Sequence, residues 1–278
     1  MQGVYDIVIK IGSMALIRDE DGDIDYNIFS RLSSALRPGM LLVSSGATEI
    51  GRIDYAKRNG DELSGDEEDM KTDYAAQGQA ILMENYRQFV SPSYSVRQVL
   101  VEHSHFNDPE KREHLYRLFM RAPKQNAIPI VNYNDPVSSE ENRKMELKRI
   151  GEGGAHVVEC VDNDETAAVI AMLVQAKALI ILTSVDGIYQ TPGDSSTLIR
   201  EISGETPEEL EQNVNKAIAC CQGASRAGAN GAGAKLKYSL GPAMAGTHVY
   251  ISRASNRIDD IISGKAASTH IFIKDSNL

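Results

Sequence analysis

Short apolar runs rich in β-branched residues recur along this chain, spaced so that one or two helices fit between them. That alternation restricts the fold more than any other feature. The runs are Tyr5–Ser13 (YDIVIKIGS), Gly39–Ala47 (GMLLVSSGA), Ser95–Val101 (SVRQVLV), Ala127–Asp135 (AIPIVNYND), Ala178–Gly187 (ALIILTSVDG) and Thr247–Ser252 (THVYIS). Apolar residues fall on both parities of most runs, the pattern of strands covered on both faces in a largely parallel sheet. Thr269–Ile273 (THIFI) is a candidate closing strand.

The intervening stretches carry helical spacing and start signals. Asp108 followed by Pro109 reads as an N-cap with proline at the first helical position. Thr206 to Glu209 forms a capping box ahead of a stripe of Leu210, Val214, Ala217 and Cys221. Residues 162–176 (DNDETAAVIAMLVQA) predict another helix with a buried Ala/Leu face. Strand and helix alternating throughout predicts an α/β fold with helices on both faces of the sheet. Two segments break the rhythm, Lys57–Lys71 and Ser138–Glu159, and are expected to be surface excursions or lids.

With 278 residues the chain can bury a full core, as one large domain or two modest ones. Its formal charge of −10 argues against a nucleic-acid partner, whose phosphate backbone needs a basic surface. The three cysteines, Cys160, Cys220 and Cys221, have no metal-ligand spacing, and the adjacent pair is expected to be buried on a helix. No apolar run reaches the ~18 residues of a membrane span, and the N-terminus enters a strand without a signal-peptide pattern. A soluble cytoplasmic protein is expected.

In open α/β sheets ligands gather beyond the carboxyl ends of the strands, and those ends are polar or glycine-rich here. The first run ends in Lys10-Ile11-Gly12-Ser13, the second in Ser44-Ser45-Gly46-Ala47, the fourth in Asn132-Tyr133-Asn134-Asp135 and the fifth in Thr183-Ser184-Val185-Asp186-Gly187. Asp162-Asn163-Asp164 stands at a helix start. A lysine inside an apolar strand is costly unless it meets an anion, whether a ligand or a carboxylate such as Asp164. Residues 228–239 (GANGAGAKLKYS) set glycines before Lys235, as phosphate cradles do. It is not a P-loop, because Ala234 separates Gly233 from Lys235 and Leu236 replaces the magnesium-binding hydroxyl. No nucleophile elbow and no paired-histidine metal site occur; His103 and His105, flanking Ser104, lack an obvious third ligand. Phosphoryl transfer to an acceptor that is already anionic asks only for positioning and charge neutralisation, and fits this inventory.

In order along nearly the whole chain, IVIKIGS, VSSGATEIG, AAQGQ, IPIVNYNDPV, VDNDETAA, ALIILTSVDGIY and GANGAGAKLKYS resemble the motifs of the amino-acid kinase family, and within it those of its glutamate 5-kinase branch. The resemblance implies a three-layer α/β/α sandwich with a mainly parallel central sheet, the carbamate kinase-like fold. It implies one kinase domain over 1–278, with acceptor binding in about 1–160 and nucleotide binding in about 161–278. The implied reaction is ATP-dependent phosphorylation of the side-chain carboxylate of L-glutamate, with Mg²⁺ carried on the nucleotide phosphates and no protein metal site. Lys10, Asp164 and Lys235 match the catalytic positions. Lys10, Gly12, Ser13, Thr183, Ser184, Asp186, Gly187, Tyr189, Ala229, Asn230, Gly231, Ala232, Gly233, Ala234 and Lys235 match the ATP-binding ones. Ser45, Gly46, Ala47, Asn134, Asp135, Asp162 and Asn163 match positions that contact the acceptor, and AAQGQ (Ala75–Gln79) a helix start. A homodimer or homotetramer without an appended RNA-modification-type domain is implied as well.

The chain departs from the family pattern at four places. Tyr133 replaces a glutamate, Val161 a glycine and Ser184 an aspartate, and the segment between Asp135 and Asp162 is longer than usual. Another acceptor within the family, such as a nucleoside monophosphate or a different small acid, therefore stays open. So does a nucleotide-binding regulatory protein without turnover.

Overall fold

A computed structural model of the chain describes residues 5–138, 140–151, 157–160, 162–191, 193–221 and 231–274. In chain order the elements are β1 (Ile7–Ile11), α1 (Tyr26–Ala35), β2 (Met40–Ser44), α2 (Ala47–Asn59), α3 (Glu67–Phe89), β3 (Ser95–Val101), α4 (Ser104–Asn107), α5 (Pro109–Arg121), β4 (Ala127–Tyr133) and α6 (Glu140–Gly151). They continue with α7 (Asn163–Val174), β5 (Ala178–Thr183), β6 (Ile188–Tyr189), β7 (Leu198–Ile199), β8 (Glu201–Gly204), α8 (Pro207–Cys221), α9 (Ala232–Met244), β9 (His248–Arg253), α10 (Ile258–Ile262) and β10 (Ser268–Ile273). Every apolar run singled out in the sequence contains a strand. No helix among the described residues is long and apolar enough to cross a membrane.

The chain divides into two compact units. The first takes Met1–Ile11, Gly39–Val43 and Val161–Leu278; the second takes Gly12–Pro38 and Ser44–Cys160. In the first, the strands lie in the order β2-β1-β5-β9-β10-β8. β1 pairs with β5, β5 with β9 and β10 with β8 in parallel, β9 with β10 antiparallel, and β6 and β7 form a separate antiparallel pair. Residues of both parities are buried in β1, β5 and β9, with Val8, Ile9, Ile11, Leu179, Ile180, Ile181, Val249 and Ile251 at zero exposure. That accounts for the unbroken apolar runs, since a strand covered on one face alone would alternate. α7 packs on β1 and β5, and α9 packs against α7, α8 and the strands β9 and β10.

In the second unit β3 and β4 pair in parallel, Ser95 opposite Ala127 through Val101 opposite Tyr133. α2 and α3 form its most intimate helix pair. Gly51 and Gly78 permit that approach: a Cβ on Gly51 would lie 1.9 Å from the Tyr74 carbonyl oxygen, and one on Gly78 would lie 1.8 Å from that of Ala47.

The structure corrects one motif reading and refines two segment readings. AAQGQ lies inside α3 and does not start a helix; its Gly78 serves the contact with α2. Lys57–Lys71 is a surface segment as expected, a loop over residues 60–66 between the end of α2 and the start of α3, with Asp66 accepting hydrogen bonds from the amides of Glu68 and Asp69 as N-cap. Ser138–Glu159 contains α6, whose density of charge hid its helical character in the sequence. The cap readings agree with the structure elsewhere. Asp108 accepts from the amides of Glu110 and Lys111, and Thr206 Oγ1 accepts from the amide of Glu209 at 3.3 Å. The Glu209 carboxylate reaches back to the amide of Glu205, one residue before the expected partner. Cys220, expected to be buried, is exposed, while Cys160 is buried.

Candidate active site

β1 carries Val8 and Lys10 on one side and Ile7, Ile9 and Ile11 on the other, and α7 packs against it. Asp162 caps α7, accepting from the amide of Asp164 at 2.9 Å, which sets Asp164 in the first turn of the helix. α9 lies alongside α7, with Lys235 one turn from its start. These placements bring three side chains of the first unit together. Lys10 Nζ lies 2.7 Å from Asp164 Oδ1, and Lys235 Nζ lies 2.8 Å from Asp164 Oδ2. Lys10 is 3% exposed and Asp164 0%.

A structural ion pair would need one lysine. Here two ammonium groups share one buried carboxylate, with the Asp162 carboxyl close enough to feel both charges, a concentration of charge that is expensive to bury for structure alone. Burial alone would push the Asp164 carboxyl up, but the charges of Lys10 and Lys235, with a hydrogen bond from each, outweigh it and hold the group below the usual carboxylate range. Asp162 moves the other way, raised by burial and then by the nearby Asp164 charge.

The start of α9 adds to the positive field. Its N-cap is Gly231, which offers no side-chain cap, and no acidic residue occupies the first turn. First-turn amides without a side-chain acceptor, at the positive end of the helix dipole, favour an anion. Gly231, Ala232, Gly233 and Ala234 are all half-buried in this turn. Ala229 and Asn230 lie outside the described residues, as does Val161.

β5 ends at Thr183, and the turn after it holds Ser184, Asp186 and Gly187, with Tyr189 two residues on in β6. Gly187 has φ +154°, and a Cβ there would lie 2.6 Å from Thr269 Oγ1. That hydroxyl accepts from the amide of Ile188 and donates to the carbonyl of Ile199, stitching the turn to β10 and β7. Asp186 accepts from Arg253 Nε at 2.8 Å and from the Tyr189 hydroxyl at 3.2 Å, and the hydrogen bond from Arg253 lowers its pKa. Arg253, at the end of β9 opposite Thr183, was not among the sequence candidates. Its only signal was its position after an apolar strand.

The second unit holds the other predicted positions. Gly12 is extended, and Ser13 opens a single 3-10 turn, Ser13–Leu16. In the Ser45-Gly46-Ala47 segment Gly46 has φ +104°, and a Cβ would come 2.9 Å from Leu16 Cδ1, so this strand-to-helix turn requires glycine. Ser44 Oγ, just before it, is 2.7 Å from the buried Tyr86 hydroxyl. At the end of β4, Asn134 Nδ2 donates to Glu102 Oε1 at 2.9 Å. Burial raises the Asp135 carboxyl to about 6, against the opposing charge of Arg143. Of the two remaining acceptor candidates, Asp162 and Asn163 at the start of α7, both belong to the first unit. Among the described residues, no group of three or more His, Cys, Asp or Glu able to hold an ion includes His103 or His105. His105 Nδ1 accepts from the Glu102 amide, and His103 faces α6.

Residues 7–252 match the amino acid kinase family. The chain belongs to that family. It is 32% identical over 249 residues to the glutamate 5-kinase of Enterococcus faecalis, covering 85% of this chain and 82% of that protein. It is 27% identical to the glutamate 5-kinase of Clostridium perfringens, covering 96% of this chain and 95% of that one. In structure it is similar to a carbamate kinase from Giardia lamblia bound to AMP-PNP, with a TM-score of 0.58 at 15% identity over 98% of this chain and 99% of the other. At that identity the likeness speaks for the fold alone, a carbamate kinase-like α/β architecture with a mainly parallel sheet.

Proposed function

We propose that this chain transfers the γ-phosphoryl group of ATP to the side-chain carboxylate of L-glutamate, giving an acyl phosphate and ADP. The observation that carries the reading is the pair of ammonium groups on the buried Asp164, in a chain similar over most of its length to glutamate 5-kinases. The acceptor is ionised at neutral pH, so no general base is needed. A carboxylate oxygen attacks the γ-phosphorus, and the bond to the β–γ bridging oxygen breaks with its electron pair leaving on ADP. The barrier comes from like charges meeting and from charge moving onto the leaving group. Lys10 and Lys235 offset both, and Asp164 fixes where they stand before the nucleotide arrives.

In this reading the first unit binds the nucleotide through the turn at Thr183–Gly187, Tyr189 and the 229–235 segment. Ser45, Gly46, Ala47, Asn134 and Asp135 of the second unit bind the acceptor, together with Asp162 and Asn163. The donor set suits magnesium borne by the nucleotide, since the described residues supply no protein cage for it. When bound, the ion adds charge neutralisation at the phosphates. A cytoplasmic homo-oligomer belongs to the same reading.

The test is ADP release from Mg-ATP with L-glutamate, aspartate, N-acetylglutamate, UMP or no acceptor, with hydroxylamine present to trap an acyl phosphate. Glutamate-dependent ADP with an equivalent of hydroxamate is expected. Turnover with another acceptor and none with glutamate contradicts the substrate. ATP binding without turnover on any acceptor contradicts the enzyme.

A further inference from the structure

Two departures from the family pattern, Tyr133 and the long segment after Asp135, prove to be parts of one feature, because α6 is docked on the end of β4 that carries Tyr133. The Tyr133 hydroxyl lies 2.9 Å from Ser138 Oγ at the approach to the helix. His103, 3% exposed, has Nδ1 3.4 Å from that hydroxyl and Nε2 2.7 Å from Glu146 Oε2 on α6. Beyond the helix, the Asn107 side chain donates to the Val158 carbonyl and accepts from the Val158 amide, at 2.7 and 2.9 Å. Arg143, one turn before Glu146 on the same helix face, is thereby set with its guanidinium carbon 5.8 Å from the centre of the Tyr133 ring. Its charge reaches Asp135, two residues along from Tyr133.

We propose that Arg143 is an acceptor-specificity residue whose guanidinium pairs with the α-carboxylate of the amino-acid substrate. The inference rests on the reading of glutamate as acceptor. Glutamate brings three charged groups, of which the side-chain carboxylate must face the phosphoryl donor. Asp135 offers an anion for the α-ammonium. Ser45, Gly46, Ala47 and Asn134 are uncharged and offer no cation for the α-carboxylate. Arg143 is the cation that the docking of α6 delivers to the end of the acceptor strand. An arginine suits the task because its planar fork matches a carboxylate, while the ring beneath keeps it oriented with part of its hydration removed. Tyr133 and His103 are then positioning residues that hold α6, and Arg143 is the group that meets the substrate.

The test compares dissociation constants of L-glutamate and L-isoglutamine, its α-carboxamide, for the full chain loaded with Mg-ADP, by titration calorimetry. A charge-assisted pair of this kind corresponds to ~10–100-fold in affinity. The wild type is expected to prefer glutamate by about that factor. Arg143→Gln should lose at least tenfold of the preference while binding isoglutamine and Mg-ADP as before, and Arg143→Lys, which keeps the charge without the fork or the stacking, should keep only part of it. Glu146→Gln loosens the docking that sets Arg143, so it should lower the preference for glutamate in the same direction as Arg143→Gln, by less. A preference unchanged in Arg143→Gln overturns the proposal, as does a wild type that binds both compounds alike. A chain that binds Mg-ADP but not glutamate contradicts the proposed reaction and this inference together, and is told apart by the wild type alone.

Discussion

At the scale of single residues, Asp164 has two duties that one substitution separates from the rest of the fold. It binds one buried and one half-buried ammonium group and it sets their spacing. Asp164→Asn leaves the shape nearly unchanged but removes the carboxylate that both ammonium groups contact, and breaking a buried pair costs about 3–5 kcal/mol. Urea denaturation should report that loss, and turnover should fall by ~10² even where the variant remains folded. Asp135 gives a pH signature. Its carboxyl sits at about 6 in the folded chain, above its ordinary value of 3.8. The folded state therefore holds this proton more tightly than the unfolded state between those two pH values. Stability from this group is present at low pH and lost as pH rises through about 6. Asp135→Asn should accordingly be more stable than wild type at pH 7.5, by up to ~2 kcal/mol, and no more stable at pH 4. Where the ionised carboxylate holds the acceptor's ammonium, the KM for glutamate should climb below about pH 6 in wild type. A KM flat from pH 5 to 7.5 would contradict that role.

At the scale of elements, α2 and α3 touch where neither helix has a side chain. Adding a methyl at Gly78 must push the helices apart or distort the Ala47 carbonyl. Gly78→Ala should cost at least the ~1–3 kcal/mol of ordinary overpacking, read as a lower urea midpoint with an unchanged slope. The sequence announced the strands because burial on both faces writes itself as an apolar run, and it announced α5, α7 and α8 because their caps are local chemistry. It did not announce α6. Residues 140–151 are mostly charged, and their docking depends on His103 and Tyr133, far from the helix in sequence. AAQGQ was placed at a helix start by resemblance alone, and its glycine is a contact with α2 inside α3. Lys10 and Asp164 were legible as an unusual lysine and a helix-start acid, and their pairing required only that α7 return to β1. Arg253 was not, because a lone arginine after a strand has no pattern of its own.

At the scale of the whole molecule, the division into two units gives the proposed roles a spatial signature. Amide hydrogen exchange in the presence of an ATP analogue should slow in the first turn of α9 and at 183–189, both in the first unit. L-Glutamate should slow exchange at 45–47 and 134–135, in the second unit. Protection by the nucleotide confined to the second unit would reverse the assignment. The acidic balance of the chain, −10 overall, fits this arrangement, because the cations that matter are few and buried or half-buried while the chain keeps a net negative charge.

The most direct measurement is the rate of hydroxamate formation from Mg-ATP and L-glutamate by Lys235→Ala beside the wild type, with nucleotide affinity measured on the same samples. If Lys235 acts on the transferring phosphoryl group, kcat should drop by ~10²–10³ while the nucleotide dissociation constant stays within about threefold. A Lys235→Ala chain that turns over glutamate at the wild-type rate would contradict it.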